Sequence, residues 1–367
     1  MPFSVDLETE TPEPTTDAEM PAGSGFTRRS IGRVTLLLAA LAVVTAVGVV
    51  VGRELKPAVG SGPALTTATN SASSSGTAQT TSPAPPSAAV VAVTKWGPLL
   101  VKPFGRFRPA GGRSGAALAG TTLVVAGGTG SDRVVAGPAG KALDSAGTLP
   151  GPRAAPQVFT VGKTVYVLGG EDGQTPTAEI VRLAPAAGKA VQVGTFEEPL
   201  AEAGVAARGG SVYLAGGWTG EKYATAVLEF TPPSTVVLVA RLPVAVRSPA
   251  VALLRHTLYV VGGATANGLS KQTFAVDVDT GAVTTLEDLP QPVEQAVLLV
   301  SGTKLYLLGG LTAAGKATAT IVAIDPATGQ ATRAGRMPAP MAGAAAVATA
   351  SGTLVVDSSR GRVFRVG

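Results

Sequence analysis

Cysteine is absent from the 367 residues, and histidine occurs once, as His256. Without a thiol there is no disulfide framework, no thiolate nucleophile and no cysteine-ligated metal, and one imidazole forms neither a zinc site nor a Ser/His/Asp triad. Charged residues make up 14% of the chain and aromatics 4%, whereas glycine and proline number 47 and 28. Helical proteins draw on Glu, Lys and Arg and avoid glycine, so this balance favours short strands joined by tight turns. The net charge of +5 is unevenly placed. Residues 1–26 hold six carboxylates (Asp6, Glu8, Glu10, Glu13, Asp17, Glu19) and no Lys or Arg, and Arg28, Arg29 and Arg33 follow. The positive excess left for the rest is thin and lacks basic runs interleaved with aromatics, which argues against nucleic acid as a partner.

What the sequence has in abundance is one phrase. LYLLGG at 305–310 recurs as LYVVGG at 258–263, VYLAGG at 212–217, VYVLGG at 165–170 and LVVAGG at 123–128, with a worn copy, LVVDSS, at 354–359. Each copy is too short for a helix, rich in β-branched and aromatic residues, and closed by small residues, which predicts a strand buried on both faces. The positions that follow these strands, 127, 169, 216, 262, 309 and 358, are spaced by 42, 47, 46, 47 and 49 residues. A period of that size marks a stacked repeat architecture. The fourth unit shows its content: RSPAVALLRH (247–256), TLYVVGG, KQTFAVDVDTG (271–281) and AVTTLEDLP (282–290) read as four strands, the size of a propeller blade. The glycine pair supplies positive φ and lets backbones approach where the second strand leaves the blade.

Upstream of the repeats the chain changes character three times. Residues 1–33 read as an acidic tail with a basic flank, too poor in apolar residues to fold. Residues 34–52, VTLLLAALAVVTAVGVVVG, are uncharged, and 19 residues at ~1.5 Å rise span close to the ~30 Å hydrocarbon core. They read as a single transmembrane helix. Three basic residues before it against Arg53 and Lys56 after it put the N-terminus in the cytoplasm and the remainder outside. The rival reading is a cleavable export signal, because TRRSIGR at 27–33 resembles the twin-arginine motif; no small-x-small cleavage site closes the apolar run. Residues 53–89 are a Ser/Thr/Pro/Ala-rich linker whose stretch from Pro57 to Pro86 carries no charge and reaches roughly 30 Å as flexible coil. Residues 90–367 hold the repeats.

The succession of Pro-Arg, apolar strand, turn, LYVVGG, loop, strand, turn, strand and Leu-Pro resembles the kelch repeat over about three-quarters of the chain. Most units lack the tryptophan of the family's fourth strand; only Trp96 stands in such a context. The resemblance implies an all-β, six-bladed β-propeller. The last unit ends at GRVFRVG (361–367), one strand short, and AVTKWGPLL at 92–100 stands unused before the first unit. It is therefore expected to supply the outermost strand of the last blade and close the ring.

The resemblance also frames function. Kelch-like copper oxidases need a cysteine–tyrosine crosslink and histidine ligands, which this composition excludes. Kelch-like epimerases and lyase-like enzymes use charged residues at the channel mouth, and here Arg113, Arg153, Glu202, Arg247 and Glu294 open the first strands at nearly equivalent positions. Such a ring has the chemistry to hold a carboxylated sugar. Loops before first strands and after second strands share one face, which also receives Trp218 and Tyr223 of GWTGEKY at 217–223, two large aromatics suited to anchoring an interface or a sugar. Other motifs dissolve on inspection. The phosphate-loop lookalike at 310–317 has Gly310, Gly315 and Lys316 but Ala317 in place of the magnesium-ligating hydroxyl, and strand-like sequence follows it. Asp277-Val-Asp279-Thr-Gly281 lacks the later ligands of a calcium loop and reads as a hairpin turn. With no nucleophile, no metal cluster and no cofactor motif, the expectation is a monomeric, membrane-tethered binding module for a protein or envelope polysaccharide, with a sugar-acid epimerase as the alternative.

Overall fold

In the computed structural model, the residues described are 99–367 except 110 and 185–187. The tail, the hydrophobic segment 34–52, the linker and Trp96 all lie outside them. Among the described residues, twenty-four strands form six four-stranded antiparallel sheets, and four more form two short hairpins. The sheets are the blades of a propeller. In chain order their innermost strands are Gly115–Ala119, Gln157–Val161, Gly204–Arg208, Ala250–Leu254, Val297–Ser301 and Ala345–Thr349. Each blade then runs outward through the LYVVGG-type strand to a third and a fourth.

The apolar second strand is explained by where its two faces go. In blade 4, Leu258 and Val260 join a core shared with blade 3, while Tyr259 and Val261 join one shared with blade 5. The same alternation around the ring yields six apolar seams, one between each pair of neighbouring blades. A strand packed on both sides has no polar face to offer, hence the unbroken apolar run.

The glycine pairs dock each blade on the next. In all five intact copies the first glycine is left-handed, and a Cβ on it would sit 1.9–2.6 Å from a carbonyl oxygen of the following blade: Arg153, Leu200, Val246, Val293 or Met341. The N–H of the second glycine donates to that same carbonyl at 2.7–2.9 Å. Blade 6, where the pair is worn to Ser358-Ser359, uses a side chain: the Ser358 hydroxyl accepts from the Ser114 N–H at 3.0 Å.

Closure pairs the two ends of the repeat region, but with a different strand from the one expected. The outermost strand of blade 6 is Val101–Arg106, antiparallel to Arg362–Val366 with Val101 opposite Val366 and Arg106 opposite Arg362. Leu99 and Leu100 lie just before it, and 92–98 fall outside the described residues. Lys102, Pro103 and Gly105 make this segment look like a loop, yet an edge strand tolerates a proline without a partner N–H, and the register shifts between Pro103 and Gly105. Val101 and Phe104 pack against the neighbouring seams, and the Arg365 guanidinium lies 3.9 Å from the Phe104 ring centroid.

Candidate functional site

The residue two positions before each innermost strand has an unusual backbone. Arg113, Ala155, Glu202, Ser248 and Gln295 have φ of 60°, 48°, 55°, 49° and 54°, and Gly343 completes the ring at 64°. A left-handed backbone costs a non-glycine residue roughly 1–2 kcal/mol, so five such residues at equivalent places need an external constraint. It comes from the blades themselves. The carbonyl of Arg113 accepts from the Ala155 N–H at 2.7 Å, and Glu202, Ser248 and Gln295 hand on the same bond to Ser248, Gln295 and Gly343 at 2.8, 3.1 and 2.8 Å. All six residues line the end of a central channel whose cavity is about 160 Å³. Its walls farther in are small and neutral, including Gly115, Gly204, Ala250, Ala345 and Ala346.

The charged residues named from the sequence do not form an equivalent ring. Arg113 and Glu202 occupy the left-handed position, Arg247 and Glu294 stand one residue before it, and Arg153 stands two before it. That last offset turns Arg153 away. Its side chain is 3% exposed, pairs with Glu179 and reaches the Gly169 carbonyl between blades, and burial lowers its guanidinium to about 10. Arg153 holds blade 2 together and does not face the channel.

The other four converge. Arg113 crosses the mouth from blade 1, donating to Glu171 of blade 2 at 2.8 Å and to Glu202 of blade 3 at 2.5 Å. Glu202, whose side chain is only 6% exposed, accepts from the Ser248 hydroxyl with its other oxygen at 2.5 Å and lies 3.7 Å from Arg247. Glu294 stands beside this group without an ion pair of its own among the described residues. Burial pushes its carboxyl above the usual range; Arg247 draws it down, Glu202 pushes it up and Arg113 draws it down. Two polar atoms here are buried without a hydrogen-bond partner, Arg247 Nε and Glu294 Oε2.

The aromatic pair is tied to the same place. Trp218 forms a backbone bridge with Ala201, the neighbour of Glu202, and a second with Tyr223 across the turn Thr219–Lys222. The rings meet edge to face, with centroids 5.5 Å apart at 69°, and the Arg247 guanidinium lies 5.4 Å from the Tyr223 centroid. Both aromatics are half-buried by these contacts and do not stand free in the loop. Sequence reasoning missed Ser248 and Gln295, and it placed Glu171 on this face without giving it a role. Glu171 was visible as the residue after a glycine pair, the position that Trp218 fills one blade later. Ser248 and Gln295 gave no signal, because nothing in a sequence marks a left-handed serine or glutamine. Among the described residues no three His, Asp or Glu side chains gather to hold a metal ion. Asp277 Oδ1 accepts from the N–H groups of Asp279 and Thr280 and from the Thr280 hydroxyl, which closes a hairpin turn. The segment after Lys316 is the strand Thr318–Ile324.

No family model matches the chain. Over 77 residues it is 36% identical to Kelch-like protein 35 of Mus musculus, a match covering 21% of this chain and 12% of that protein. The chain thus spans about an eighth of the curated relative it matches. The solved structure titled "Structure of YjhT" superposes with a TM-score of 0.60 at 14% identity, covering 71% of this chain and 94% of that one. At that identity the likeness concerns the fold.

Proposed function

We propose that this chain, a kelch-repeat β-propeller, works as a membrane-tethered extracytoplasmic binding module that grips a protein or an envelope polysaccharide through the channel-mouth face. One observation carries the reading: Arg113, the cation that spans the mouth, is already matched. Arg113 is held by two carboxylates and Arg247 leans between Glu202 and the Tyr223 ring, so no guanidinium pair stands open to seize a carboxylated substrate. A largely compensated surface flanked by Trp218 and Tyr223 suits recognition by shape and stacking. Substituting both aromatics with alanine is expected to abolish capture of the partner in a pull-down from envelope extracts at an unchanged melting temperature; undiminished capture sinks this face. Tethering rests on the 34–52 segment. Protease added to intact cells is expected to release the repeat domain through the charge-free linker, and full-length protein recovered from the cytosol would overturn the placement.

A second reading, an epimerase-like enzyme acting on a sugar acid, is favoured by Glu294 alone, since a carboxyl whose proton is held above its ordinary range is what proton transfer to and from carbon requires. It predicts deuterium wash-in from D₂O into a sugar acid, lost in Glu294→Gln.

A further inference from the structure

Arg247 and Glu294 each leave one buried atom unsatisfied, and the two atoms are chemically complementary: Nε carries a proton to donate and Oε2 has a lone pair to accept it. An unmade hydrogen bond of this kind leaves both groups with their desolvation cost, on the order of 1–3 kcal/mol each. Both atoms are shut off from solvent, so neither water nor an outside ligand reaches them as they stand. Movement of one side chain to the other satisfies both.

Arg247 is placed to move. Its contacts are a long 3.7 Å approach to Glu202, whose two oxygens are already engaged by Arg113 and Ser248, and the 5.4 Å stack on Tyr223. Neither fixes the guanidinium as a bidentate pair does. Glu294, on blade 5, is faced by Arg247 from blade 4, by Glu202 from blade 3 and by Arg113 from blade 1. Of the three, Arg247 is the group without a strong partner.

We propose that Glu294 is a proton-operated switch for the aromatic corner: ionised, it takes the Arg247 guanidinium through Nε and lifts it off Tyr223, and protonated, it releases Arg247 to the ring. The ionised carboxylate gains a charge-assisted bond, whereas the neutral acid attracts a cation weakly and leaves the Tyr223 face as the better seat. The arrangement described above, with Arg247 on Tyr223 and Oε2 bare, is the one expected of the protonated acid. Burial keeps that state populated above the ordinary carboxylate range. The importance of the switch for recognition rests on the binding reading given above; the switch itself does not.

The test needs no ligand, so its failure and that of the binding reading are separate results. The chain has two tryptophans, and Trp96→Phe leaves Trp218 as the sole indole, 5.5 Å from Tyr223. Its emission followed from pH 4 to pH 8 is expected to show one single-proton step with a midpoint above 4.5, lost in Glu294→Gln. The Arg247 Nε resonance of the unsubstituted chain, labelled with ¹⁵N, is expected to move with the same midpoint, which keeps the test independent of any variant's folding. A flat Nε resonance, or a step that persists in a folded Glu294→Gln protein, overturns the proposal.

Discussion

Gly169→Ala is expected to be among the most damaging single-methyl additions the repeat domain can receive, and its cost divides into parts that can be measured. The new Cβ lies 1.9 Å from the Leu200 carbonyl oxygen, the acceptor that ties blade 2 to blade 3 through the Gly170 N–H at 2.9 Å. Backbone on both sides leaves no flexible side chain to yield. The left-handed φ of 54° costs alanine roughly 1–2 kcal/mol. Driving the carbonyl back more than an ångström weakens the bond, worth about 1 kcal/mol net, and loosens the seam that holds Leu168, Leu200 and Leu214, roughly 1–3 kcal/mol more by the measure of overpacked cores. The total is about 3–6 kcal/mol, or a fall in melting temperature of roughly 6–24 °C at the ~2–4 °C per kcal/mol of large domains. Gly173→Ala supplies the control. Its φ is 63°, but a Cβ there meets nothing within 4 Å, so it isolates the backbone term at about 1–2 kcal/mol. Thermal unfolding of the two variants beside the parent decides the matter: equal shifts would refute the claim that the glycine pair exists for close approach between blades.

Four further outcomes follow from the same geometry. Ala155→Gly, which relieves a left-handed alanine in the channel ring, is expected to raise the melting temperature by a few degrees, about 1 kcal/mol; a fall would show the ring to be unstrained. Glu202→Ala removes the shared acceptor of Arg113, Arg247 and Ser248 and is expected to lower stability by roughly 2 kcal/mol in urea unfolding, and Glu202→Gln, which retains an oxygen for Ser248, by less. Deleting 101–106 strips the outer strand from blade 6 and exposes the Arg362–Val366 edge, so aggregation and a melting point lower by many degrees are expected; an unchanged melt would remove this strand from the closure. Glu294 has a folded pKa raised above its unfolded value, so its contribution to stability is complete below the unfolded pKa near 4.5 and is lost as pH rises through the folded one. Glu294→Gln is expected to flatten that part of the stability profile.

The fold was legible because its signal is repeated and local. A strand wedged between two seams is apolar on both faces, and a glycine that meets a neighbour's carbonyl leaves no room for a side chain, so five of the six blades write the same phrase into the chain and the sixth, with Ser358-Ser359, a worn copy. The closing strand was harder. Val101–Arg106 serves at an edge, where Lys, Pro and Gly are allowed, and that freedom erases the pattern by which a strand is recognised. The expectation settled on 92–100, the more apolar neighbour, because an apolar run is what sequence reading can weigh.

The site was legible only in part, for a reason of geometry. Charge is visible in a sequence, and Arg113, Glu202, Arg247 and Glu294 do come together. Orientation is not: a shift of one residue along a loop separates Arg247 from the ring position, and a shift of two sends Arg153 into the blade to meet Glu179. The decisive property of the mouth is the set of partners each charge has found. Arg113 is doubly engaged by carboxylates from blades 2 and 3, which no spacing rule foretells because the partners lie 58 and 89 residues away. A row of arginines read as an anion trap becomes, once its carboxylates are in place, a compensated surface in which Arg247 alone retains freedom. That freedom concentrates the chemistry of the face on the triangle of Arg247, Tyr223 and Glu294, and it is there that a change of pH or a bound partner has most to act upon.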